Sequence, residues 1–200
     1  MSLSAEEAGS FTAPMRGKAV TFLVDGRRDS VALITGLVAA AASAAEGCAV
    51  FDADAAVSSG ADDVLAALTP EQSGSVRIVV PEPGSAVEAE LSRFFMNGSG
   101  VLVVESLSTL YHLFSTSDRD SRSRKAAFAV AGLSWLARTG GKAAALIVYR
   151  RERVIRAREG GSMSDLADAT VSVEPVRGGV LLRCERGTLW PGGSFLLNIP

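Results

Sequence analysis

Two hundred residues, 48% of them apolar, suffice for one domain with two helical layers around a sheet. Twenty Lys and Arg against 22 Asp and Glu leave a formal charge of −2, which excludes a whole-molecule field drawing the chain to nucleic acid or anionic membrane; any such contact has to come from a local patch. Cys48 and Cys184 are far apart, no CxxC occurs and His112 is the single histidine, which argues against a zinc site or a disulfide framework and fits a reducing, cytoplasmic setting.

The first residues lack the basic-then-apolar order of a secretion signal, and residues 37–45, the longest apolar run, are too few to span a bilayer, so a soluble protein without membrane contact is expected. Residues 1–17, small and polar with Pro14 near their end, predict a flexible N-terminal arm, leaving 18–200 as a single domain. Residues 20–24 (VTFLV) read as a buried strand stopping at Asp25-Gly26, and 30–45 as an alanine-rich helix. Strand 48–51 and helix 61–68 repeat the unit, followed by strand 76–80, helix 85–96 with Val87, Leu91, Phe94 and Phe95 at helical spacing, and strand 101–104 (VLVV). The polar run after Leu113, STSDRDSRSRK, predicts a mobile surface loop, with a helix over 126–138 and a fifth strand over 143–149. Such alternation implies a parallel sheet with helices on both faces. From Ala169 three short strand-like runs, parted by Arg177-Gly178-Gly179 and by the proline-glycine cluster at 191–193, predict an antiparallel extension.

In this order, the strand VTFLVDG with its glycine-started loop and helix, the strands AVFDAD, VLVVESLSTL and ALIVYRRE, and the tail LADATVSVEPVRGGVLLRCERG resemble the RecA-like ATPases, nearest to the archaeal RadA and KaiC-like branch. The likeness runs from about Gly17 to the end of the chain, and its specificity lies in the order and spacing of short pieces. It implies a three-layer α/β P-loop NTPase fold, mostly parallel, with a C-terminal antiparallel extension.

In that family the first strand leads into GxxxxGK[ST], whose glycines let backbone amides approach phosphate, whose lysine meets the terminal phosphates and whose hydroxyl holds magnesium. The matching window is Gly26-Arg27-Arg28-Asp29-Ser30-Val31-Ala32-Leu33, and only Gly26 fits. Val31 brings a branched Cβ to where the loop must curl, Ala32 lacks the lysine charge and Leu33 lacks the hydroxyl. The resemblance thus implies a degenerate phosphate loop and no expected cofactor; ATP and magnesium enter only if the altered loop still takes a nucleotide.

The family's aspartate near magnesium, at the end of the fourth strand, corresponds to Glu105, followed here by Ser106, and its water-polarising acid beyond the second strand to Asp54, with Asp52 two residues before. Without lysine or magnesium these carboxylates repel phosphate. Their meeting at the carboxyl edge is expected to raise at least one pKa by like-charge repulsion, and two readings stay open: acids left from a dead site, or a cation site.

Arg27 and Arg28 are either solvated or placed for an anion, a phosphate or a neighbouring subunit's carboxylate. Arg150, Arg151, Arg153, Arg156 and Arg158 follow the fifth strand, where recombinases of the family carry a DNA-contacting loop; Arg119, Arg122, Arg124 and Lys125 form a second basic cluster. A positive rim for nucleic acid, a subunit contact and plain solvated loops all remain open, though only Tyr149 offers a base-stacking ring near the first run. His112 is expected to be a packed or surface residue, and Trp135 and Trp190 core and hairpin packing. No GxSxG, HExxH or CxxC supports hydrolase, zinc protease or thiol redox chemistry.

The expected function is that of a catalytically inactive RecA/KaiC-like paralogue, a binding or regulatory protein for an ATPase of the same fold or for DNA, with a protein partner or self-association. The competing readings are an ATPase using Arg27 or Arg28 in place of lysine with a cation on Glu105, and a recombination-type DNA-binding module acting through the two basic loops.

Overall fold

A computed structural model describes residues 5–66, 68–82, 86–96, 98–114, 118–150 and 166–198. Helix α1 (Ala5–Thr12) and a 3-10 turn (Ala13–Met15) lead into β1 (Lys18–Val24) and α2 (Arg27–Ser43). Then come β2 (Cys48–Asp52), α3 (Ala61–Ala66), α4 (Pro70–Ser73), β3 (Val76–Val79), α5 (Val87–Phe95), β4 (Val101–Glu105), α6 (Leu107–Leu113), α7 (Arg119–Gly140) and β5 (Ala143–Tyr149). The chain closes with β6 (Ala169–Val176), β7 (Gly179–Arg186) and β8 (Ser194–Asn198). One eight-stranded sheet results, in the order β3-β2-β4-β5-β1-β6-β7-β8, parallel from β3 through β6 and antiparallel from β6 to β8.

Both faces of the parallel part are covered, which is why its strands read as continuous apolar runs. Successive side chains alternate between layers. Val20, Phe22 and Val24 of β1, with Val50 and Ile147, meet Phe11, Leu33, Ile34 and Leu37 of α1 and α2. Ala19 and Leu23, with Phe51, Leu102 and Leu146, meet Leu91, Phe94, Leu110, Val130 and Leu133 of α5, α6 and α7. Gly36 lets α2 lie close to β8: a Cβ there would stand 2.3 Å from Leu197 Cδ2.

Three expectations are corrected. Residues 5–15 are a docked element in place of a loose arm: Ala8, Phe11 and Met15 are wholly buried, the Phe11 ring stacks on Trp190 and Phe195 at 6.0 and 5.3 Å, and Trp190 Nε1 donates to the Phe11 carbonyl at 3.3 Å. The polar run from Arg119 is helical, because the Asp118 carboxylate caps α7 by accepting from the amides of Asp120 and Ser121 at 3.2 and 2.8 Å. Trp135 lies on the outer face of α7, 63% exposed, since the buried stripe runs through Ala126, Ala129, Val130, Leu133 and Ala137. Trp190 is buried, as expected.

Candidate functional site at the carboxyl edge of the sheet

Parallel strands bring their carboxyl ends together, and Asp52 of β2 is in register with Glu105 of β4. Only Asp25 and Gly26 separate β1 from α2, so the helix starts three residues before the expected Ser30. Arg27, Arg28, Asp29 and Ser30 thus form its first turn, while Val31 and Ala32 pack against the core and Leu33 is buried within it. Of the residues read as a phosphate loop, all but the N-cap Gly26 are helix.

Glu105 sits beneath that first turn, fully buried. Its Oε1 accepts from the Tyr149 hydroxyl at 2.7 Å and from Ser30 Oγ at 3.3 Å, and its Oε2 accepts from the Asp54 amide at 3.3 Å. Burial pushes its carboxyl up to about 7, the nearby Asp54 and Asp52 charges adding to the rise and the bonds from Tyr149 and the Asp54 amide opposing it. A raised carboxyl was expected; lost water, more than like-charge repulsion, raises it. Tyr149 is pushed up as well, first by burial and then by its bond to Glu105. The β4 to α6 turn is tight: Ser106 adopts φ 56°, and its Oγ accepts from the Thr109 amide at 3.2 Å.

The other two acids divide differently from the expectation. Asp52 is buried and turned onto the backbone that follows it, accepting from the amides of Ala56, Val57 and Ser58 at 2.9, 3.1 and 2.7 Å. That bonding builds the turn in which Ala55 takes φ 53°. Asp54 points outward and gives Glu105 its amide. Arg27 crosses to the same turn, where its Nη2 donates to the Ala55 carbonyl at 3.0 Å and to Ser59 Oγ at 2.9 Å. Arg28 and Arg177 line a cleft of about 480 Å³ between the start of α2 and the β6–β7 hairpin, with Asp29 and Ala32.

Of the basic clusters, Arg119, Arg122, Arg124 and Lys125 occupy the first two turns of α7. Arg124 reaches Asp118 at 4.0 Å and Lys125 pairs with Glu88. Arg150 closes the carboxyl edge through ion pairs to Asp25 at 3.3 Å and Glu185 at 3.9 Å. Arg151, Arg153, Arg156 and Arg158 lie outside the described residues. His112 is exposed on the last turn of α6, edge-on to Tyr111 at 5.1 Å. Among the described residues no cluster of His, Cys, Asp and Glu is shaped for a metal ion, and no helix is long and apolar enough to cross a membrane.

Sequence reasoning missed the roles of Ser30 and Tyr149. Tyr149 carried a signal, as a phenol closing an otherwise apolar strand beside Glu105's strand. Ser30 carried none, because its contact depends on where α2 begins.

A magnesium nucleotide held by a GxxxxGK[ST] loop needs a run of free amides between strand and helix and a carboxylate open to the ion. Here the run is reduced to Asp25-Gly26, and Glu105 is enclosed by Ser30, Tyr149 and the Asp54 amide.

The strand order, the covered parallel sheet, the antiparallel extension and the acids at the ends of β2 and β4 define a RecA-like α/β fold. A solved structure described as the crystal structure of the RadB recombinase shares that fold with a TM-score of 0.62, over 95% of this chain and 89% of that chain, at 12% identity. No family model matches the chain, and no curated protein does.

Proposed function

We propose that this chain is a RecA-like protein that does not hydrolyse ATP and acts by binding a protein partner. The observation carrying this reading is the enclosure of Glu105: the carboxylate where the family meets magnesium is spent on Tyr149, Ser30 and the Asp54 amide, directly beneath a helix that begins where a phosphate loop would lie. Arg27 and Arg150 support it, because both use their charge to hold the edge together, on the Ala55 turn and on Asp25 and Glu185. The fold neighbour is named a recombinase, which favours a partner among recombination-type proteins, such as an active ATPase of the same fold.

The test is titration of the protein with ATP and with ADP, with and without magnesium, followed by heat release and melting temperature. Neither signal is expected to change at millimolar nucleotide, whereas a ligand at about 100 times its Kd stabilises a fold by about 2.7 kcal/mol. Saturable binding or magnesium-dependent turnover overturns the proposal and makes Arg27, Arg28 and Glu105 the residues to substitute next.

A further inference from the structure

Among the described residues, none forms a layer over the outer face of α7. Phe128 is 76% and Trp135 63% exposed, seven residues apart on one helix, about 10 Å along its axis, with Ala131 between them. Neither ring contributes to the two cores. Gly132, next to Ala131, faces the Phe95 ring of α5, where a Cβ would stand 3.1 Å from Cε2. Beside Phe128 opens a groove of about 390 Å³ between α5 and α7, walled by Leu91, Phe95, Phe114 and Phe128, with Lys125 and Arg124 at its rim.

We propose that a second copy of this chain docks on this face, with the two α7 helices antiparallel about a twofold axis beside Ala131. The pattern large-small-large is its own complement under that operation: Phe128 of each copy meets Trp135 of the other, and the two Ala131 methyls let the helices close. A twofold contact requires one patch to serve as both surfaces, and this stripe does so without any second patch. The groove beside Phe128 receives the indole arriving from the other copy.

Area and charge agree with that occupant. Side chains of this size bury about 150–250 Å² each, so two rings at these exposures supply roughly 250–300 Å² per copy, about a third of the ~800 Å² that a standard interface takes from each partner. The rest of the patch comes from Ala131, the groove wall and the rim. Arg124 and Arg138 bracket the stripe, and each has its own carboxylate: Asp118 at 4.0 Å for the first and Asp168 for the second. The rim therefore brings polar groups without net repulsion, around an aromatic centre, which is the anatomy of protein interfaces. This inference stands whether or not the chain binds nucleotide.

Sedimentation equilibrium of the full chain tests it. The mass is expected to rise with concentration from 20.7 kDa to twice that value. Phe128→Glu combined with Trp135→Glu, which sets like charges against each other across the twofold axis, is expected to remain monomeric at concentrations at least about tenfold above the parent's midpoint, with an unchanged circular dichroism spectrum. Trp135→Ala, a milder change at an exposed position, gives a second reading with a weakened dimer. Ala131→Cys in a Cys184→Ser background is expected to cross-link to itself on oxidation. A parent that stays at 20.7 kDa up to about 1 mM overturns the proposal. So does a dimer that persists in the double variant, or one in which Ala131→Cys does not cross-link.

Discussion

Glu105 shows how one side chain changes meaning with its surroundings. In water a carboxyl titrates near 4.5; beneath the first turn of α2 it does so at about 7. Between those values the folded chain keeps a proton that the unfolded chain has released, so the contribution of Glu105 to stability falls as pH rises through the window and levels off above it. Glu105→Gln carries no such proton. Its denaturation midpoint is therefore expected to rise relative to the parent's as pH increases from 4.5 to about 7, and the difference to stay constant beyond that. Urea unfolding of both proteins inside the window and on either side of it decides the matter; a constant difference throughout removes the raised carboxyl. The residue types at this site were legible in the sequence, because VLVVE and VFDAD place acids at strand ends. Their division of labour was not, because Asp52 is held by amides four to six residues on and Glu105 by groups from three separate elements.

At the scale of elements, the turn after β2 depends on Asp52 more than on any local propensity. Asp52→Ala leaves the amides of Ala56, Val57 and Ser58 without an acceptor, at about 1–3 kcal/mol for each one that stays buried and unsatisfied. A loss of about 3 kcal/mol or more is expected by chemical denaturation, and a much smaller loss for Asp52→Asn, which keeps one oxygen on the turn. A loss near zero for Asp52→Ala means the turn is held by something else, such as Arg27. Helix α7 is instructive in another way. Its start has the composition of a loop because seven polar residues precede the apolar stripe, yet Asp118 directly before Arg119 is an N-cap residue type, the one start signal legible there. The stripe through Ala126, Val130, Leu133 and Ala137 likewise puts Trp135 off the buried face by simple helical period.

At the scale of the whole molecule, the two ends of the chain close one another. Phe11 of α1 lies between Trp190 and Phe195 from the last hairpin, and Ala8 and Met15 complete the seal. Phe11→Ala is expected to cost about 3–5 kcal/mol, the range for emptying a buried aromatic site, seen as a fall in melting temperature with early exposure of Trp190 by fluorescence. An unchanged melting temperature returns α1 to the loose arm that its composition suggests. Sequence by itself determined the succession of strands along the chain, the alternation with helices that implies a parallel sheet covered on both faces, and the antiparallel end, because each rests on periodicity and turn chemistry within a few residues. Tertiary structure alone decided that α2 begins directly after Gly26, that Ser30 and Tyr149 enclose Glu105, and that α1 packs on the far end of the chain. Those contacts join residues 75, 44 and 179 positions apart, and their energies depend on which groups lose water together, a quantity that no local pattern encodes.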